Sequence, residues 1–113
     1  MQYYRLEHND RRLPGLVSAC TGPGERARGL LGRKALDCGS AWLLAPCRQV
    51  HTFGMRYAID VLFCDAGWRV LDLLDELGPW RIAGHQLACA TWELPAGSIR
   101  RLGLRLGDRV RPC

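Results

Sequence analysis

Apolar and polar positions along this chain alternate in short runs separated by glycine, proline and aspartate. The clearest run is Ala58–Cys64, in which Ile59, Val61 and Phe63 fall on one side of a pleat and Asp60 and Leu62 on the other. An Asp65-Ala66-Gly67 turn follows, and then Trp68–Leu74, so the two runs predict a hairpin. Leu87–Leu94 alternates again, with Leu87, Cys89, Thr91 and Glu93 set against Ala88, Ala90, Trp92 and Leu94. Residues 2–6 and 16–20 read as strands, with Asn9–Arg12 and Pro14-Gly15 as the turn between them. Ala41–Ala45 is a brief strand stopped by Pro46, and Gly107-Asp108 turns the chain into a last short strand.

Helical spacing is scarce. Glu25–Arg33 carries an i, i+3, i+4 face of Ala27, Leu30 and Leu31, weakened by Gly29 and Gly32. Ser98–Leu102 predicts a single turn after Pro95-Ala96-Gly97. Arg48–Tyr57 and Trp80–Gln86 read as connections. Many short strands with one or two short helices predict a mostly β (α+β) fold, a compact barrel or a sandwich, in one domain over residues 1–113.

Composition changes this picture little. The net charge of +5 comes almost wholly from arginine, with Lys34 the only lysine. The arginines are scattered from Arg5 to Arg111 without a basic tract interleaved with aromatics, so nucleic acid is not an expected partner. No apolar run is long enough for a membrane helix, and Met1–His8 has no apolar core of the kind an export signal carries, so a cytoplasmic protein is expected. Six cysteines form no Cys-x-x-Cys pair, and reduced thiols are expected. Cys64 and Cys89 lie in strand-like runs, where a thiol acts as a small apolar group. Trp42, Trp68 and Trp92 read as core or rim aromatics, and Trp80, in its Gly-Pro loop, as the exposed one.

The chemistry gathers around Pro46–Phe63. A carboxylate at Asp60, between apolar neighbours in a strand, is unfavourable there unless something binds it. Its partners are either backbone N–H groups of the preceding loop or a guanidinium such as Arg28 or Arg33. Glu93 interrupts another apolar strand and raises the same question. His51 is a hydrogen-bonded structural histidine, or a general base with Asp60 or Glu93 orienting it. Cys47 and His51 have Cys-x3-His spacing, but no second pair with zinc-ligand spacing follows, so neither metal nor cofactor is expected.

Three blocks carry a resemblance. They are Arg26-Ala-Arg-Gly-Leu-Leu-Gly-Arg33, then His51-Thr-Phe-Gly-Met-x-x-x-Ile-Asp-Val-x-Phe63, then Glu93-Leu-Pro-Ala-Gly97 with Gly103 and Gly107-Asp108 behind it. In order and spacing they resemble the DUF192 (UPF0127) family of small bacterial and archaeal domains. The resemblance covers roughly residues 15–111 and implies a mostly β domain without implying a reaction. Many members have Trp-Met-x-Asn-Thr where this chain has His51-Thr-Phe-Gly-Met55, so a role tied to His51 would belong to a subgroup.

Two functions are therefore expected. The first is a β-rich binding module whose polar pocket, formed by Arg28, Arg33, His51, Thr52, Asp60 and Glu93, takes a small anionic or sugar-like ligand or a segment of a partner protein. The alternative is a hydrolase-like enzyme with His51 as general base beside Asp60 or Glu93.

Overall fold

The computed structural model describes residues 2–13, 17–20, 41–52 and 57–112. The predicted helix Glu25–Arg33 lies outside them.

Eleven strands are described: β1 (Gln2–Tyr4), β2 (Leu6–His8), β3 (Arg11–Arg12), β4 (Val17–Cys20), β5 (Ala41–Leu44), β6 (Gln49–His51), β7 (Ile59–Cys64), β8 (Val70–Leu77), β9 (Ile82–Gly84), β10 (Ala90–Pro95) and β11 (Val110–Pro112). One short helix, Ser98–Leu102, accompanies them. Six strands form the main sheet in the order β1-β4-β5-β10-β7-β8, with β4 and β5 parallel and the other neighbours antiparallel. A three-stranded sheet, β11-β2-β3, and a two-stranded ribbon, β6-β9, complete the set. None of the three closes on itself, so the barrel expectation gives way to the sandwich.

The layers follow from alternation along β7 and β10. Leu62, Cys64, Ala90, Trp92 and Leu94 share a core with Leu6 of β2, Val110 of β11, and Ile99 and Leu104 in and after the helix. Trp92 Nε1 donates to the Val110 carbonyl at 3.1 Å, so its one polar atom is satisfied inside that core. On the opposite face Ile59, Val61 and Phe63 pack with Trp42, Leu44, Val50 of β6 and Ala88. The main sheet is therefore covered on both sides, which is why every residue of β7 is buried.

Two connections depart from the predicted ones. The turn at Asn9–Asp10, with φ of 50° and 68°, closes a β2-β3 hairpin instead of joining the two predicted strands. Arg48–Tyr57 and Trp80–Gln86 contain β6 and β9, which pair with each other although distant in sequence (His51↔Ile82, Val50↔Ala83, Gln49↔Gly84). Strands of three residues are too short for periodicity to reveal. Gly84 is needed there, because a Cβ would sit 2.9 Å from the Arg48 carbonyl oxygen. Cys89 is exposed and precedes β10, so only Cys64 of the two strand-run thiols is buried; burial pushes that thiol up to about 12.

Candidate functional site: a buried carboxyl facing the ribbon layer

Asp60 and Glu93 belong to adjacent strands but to opposite faces. The register pairs Asp60 with Leu94 and Glu93 with Val61. Leu94 lies in the core beneath the helix, and Val61 in the core beneath the ribbon. The sheet itself separates the two carboxyls, so they form no acid/base pair.

Asp60 is fully committed to backbone. Between Ile59↔Leu77 and Val61↔Leu74 two residues of β8, Asp75 and Glu76, oppose the single Asp60, which makes a β-bulge. Glu76 takes φ +56° there, and its N–H donates to Asp60 Oδ1 at 2.8 Å. Asp60 Oδ2 accepts from Ile99 N–H, also at 2.8 Å, in the first turn of the helix. Gly97, at the N-cap, has no side chain to cap that turn, so the carboxylate of a neighbouring strand does it. Among the described residues, the backbone groups that bind Asp60 are those of the bulge and the helix.

Thr52 is likewise structural. Its Oγ1 donates to the Gly78 carbonyl at 2.6 Å and accepts from Arg81 N–H at 2.9 Å, tying the end of β6 to the segment that enters β9. Thr52→Val keeps the shape and removes both bonds in a fully buried position. We expect it to lower unfolding free energy by about 2 kcal/mol in urea titration; a loss below about 0.5 kcal/mol would show the tie to be dispensable.

His51 sits on the ribbon next to Val50, which packs into the core beneath it. Alternation puts His51, exposed, on the outer side. Glu93 faces the inner side, so the proposed base and its orienting carboxylate are separated by the ribbon, and Asp60 lies on the other face of the main sheet. Alternation and register thus set His51, Glu93 and Asp60 on different sides of the ribbon and the main sheet. Arg28 and Arg33 lie outside the described residues.

What survives is Glu93. It is flanked across the sheet by Trp42 and Val61, with Thr91 two residues before it on the same face. Thr91 is satisfied, its Oγ1 donating to the Cys47 carbonyl at 3.2 Å. Glu93 Oε2 is buried and accepts no hydrogen bond among the described residues. Loss of water pushes its carboxyl up to about 7. Near neutrality it is a group balanced between a hydrogen-bond donor and an ionised acceptor. The sequence marks the position as a carboxylate in an apolar strand; its isolation appears only once the register is known.

Comparison with known proteins bears on the fold. The DUF192 family model, described as "Uncharacterized ACR, COG1430", matches residues 6–112. The chain belongs to that family. The three-block resemblance therefore holds over nearly the whole DUF192 chain. A search of curated proteins found no match. Among solved structures, one from Sinorhizobium meliloti 1021, described as a "putative transcription regulator", superposes with a TM-score of 0.87 at 20% identity, covering 98% of this chain and 94% of that one. A protein of unknown function from Novosphingobium aromaticivorans DSM 12444 gives a TM-score of 0.80 at 19% identity, covering 96% and 83%. At these identities the likeness is one of fold. Among the described residues no helix is long and apolar enough to cross a membrane.

Proposed function

We propose that this DUF192 domain is a binding module for a small, neutral, hydroxyl-bearing ligand of the sugar or polyol class, held at the Glu93 face of the main sheet. The observation that supports this reading is the buried Oε2 with no hydrogen-bond partner among the described residues. A buried acceptor left empty is unfavourable by roughly 1–3 kcal/mol, and a ligand hydroxyl donating to it recovers that loss on binding. The chemistry selects against the anionic half of the expected ligand class. An ionised Glu93 repels a carboxylate or phosphate, whereas a hydroxyl donates to it. Trp42, the neighbour of Glu93 across the sheet on β5, is buried beside it.

The test is a thermal-shift panel of monosaccharides and polyols beside small phosphates and dicarboxylates. A neutral hydroxylated compound should stabilise the protein, by about 2.7 kcal/mol at a hundredfold excess over its Kd. Glu93→Leu keeps the bulk and removes the acceptor, so it should fold and lose that response. A panel without a neutral stabiliser, or an undiminished response in the leucine variant, would refute the reading.

A further inference from the structure

A second feature, separate from Glu93, is the free edge of the β6-β9 ribbon. Thr52 N–H donates to the Arg81 carbonyl at 2.9 Å and His85 N–H to the Arg48 carbonyl at 2.9 Å. In an antiparallel pair this alternation directs the backbone groups of Ile82 and Gly84 away from β6. No described strand pairs with β9 on that side. The edge therefore presents the peptide groups of Ile82 and Gly84 at the register an added strand uses.

The surroundings of this edge say what would add. Residues 45–59 and 77–92 contain none of the chain's eleven acidic side chains, yet they include Arg48, Arg81, His51 and His85. Arg48 and Arg81 are exposed. Arg48 and His85 line a hollow of about 260 Å³ with Gln49, Gly84 and Gln86. His85 Nδ1 accepts from Leu87 N–H at 3.2 Å, which leaves Nε2 as the ring's N–H donor. Three large apolar side chains stand out on the same segment: Trp80, Ile82 and Leu87 are 69%, 58% and 71% exposed.

We propose that the outer edge of β9 docks an extended, acidic segment of a partner protein by strand addition. Main-chain bonds to Ile82 and Gly84 fix its register, Arg48 and Arg81 pair with its carboxylates, and Ile82 and Trp80 take its apolar residues. An open peptide edge argues against a lipid partner, since its N–H and C=O groups would lose water without gaining a bond. Two arginines and one exposed tryptophan are a thin basis for tracking a phosphate backbone.

The experiment uses the full chain, labelled with ¹⁵N, and short peptides that alternate glutamate with valine. Their glutamate-to-lysine counterparts, single-stranded DNA and phosphatidylglycerol vesicles are run beside them. The acidic peptide should bind, slow amide exchange at Ile82 and Gly84, and lose about tenfold in affinity when Arg48→Glu and Arg81→Glu are combined. Both arginines are exposed, so the double variant should retain the parent circular dichroism spectrum. Failure of every acidic peptide, equal binding of the lysine counterpart, or binding without protection at Ile82 and Gly84 would overturn the proposal. So would binding of DNA or vesicles in place of peptide.

Discussion

Replacing Asp60 by alanine is expected to destabilise the folded chain by about 3–5 kcal/mol, because it deletes two hydrogen bonds to one charged acceptor. The Glu76 and Ile99 N–H groups that donate to it, each at 2.8 Å, would be left without an acceptor beside a fully buried side-chain site. The consequence extends beyond one strand. Glu76 occupies the bulge of β8, and Ile99 the first turn of the helix. Losing the carboxylate therefore loosens the edge of the main sheet and the helix that covers one of its faces. Asp60→Asn keeps one acceptor oxygen and sets an NH₂ against the other N–H, so it should recover at most about half of the loss. Urea unfolding of the three proteins at neutral pH checks this. An alanine variant within about 1 kcal/mol of the parent would show that the two bonds do not hold the bulge and the helix.

The second large effect is a pH dependence. An ordinary glutamate ionises near 4.5, which sets the unfolded chain, whereas Glu93 in the folded protein ionises near 7 because burial removes water from its charged form. Below 4.5 both states are protonated and the group contributes no pH dependence. Between 4.5 and 7 the folded state holds a proton that the unfolded state has released, so stability falls as pH rises. Above 7 both states are ionised and the loss is complete, at about 3 kcal/mol. Glu93→Gln cannot titrate and should show no such fall. The difference between the two unfolding curves, measured across this window, isolates the residue. Parallel curves would mean that Glu93 is ionised in the folded chain at the usual pH and has found a partner.

Much of the fold was legible in the residues. The alternation of Ile59, Val61 and Phe63 against Asp60 and Leu62 is the one seen, because β7 is long enough for its period to stand out. The hairpin at Asp65-Ala66-Gly67 was equally readable, since Asp65 Oδ1 accepts from both Gly67 N–H and Arg69 N–H, a bond pattern that belongs to aspartate in a turn. The ribbon was not. Gln49-Val50-His51 and Ile82-Ala83-Gly84 carry one apolar inward residue each, and their pairing is decided by distant partners.

The site was less readable than the fold, for a similar reason. Two carboxylates in apolar strands look alike in one dimension, yet the register gives them opposite faces and opposite fates. Asp60 is satisfied by N–H groups at 16 and 39 positions' separation, which no local pattern announces. His51 lies close to Asp60 along the chain and on the outer side of the ribbon in space. The absence of acidic residues from 45–59 and 77–92 was visible throughout, but it acquires meaning only when β6 and β9 bring the two stretches side by side.

The most direct measurement is a carbon-13 titration of the Glu93 side-chain carboxyl in the folded, ligand-free protein. A midpoint about 7, moving down when a hydroxylated ligand donates to the ionised form, is what a buried acceptor awaiting its partner requires. A midpoint at the ordinary 4.5 would contradict it, since that carboxylate would already be solvated or bonded within the fold.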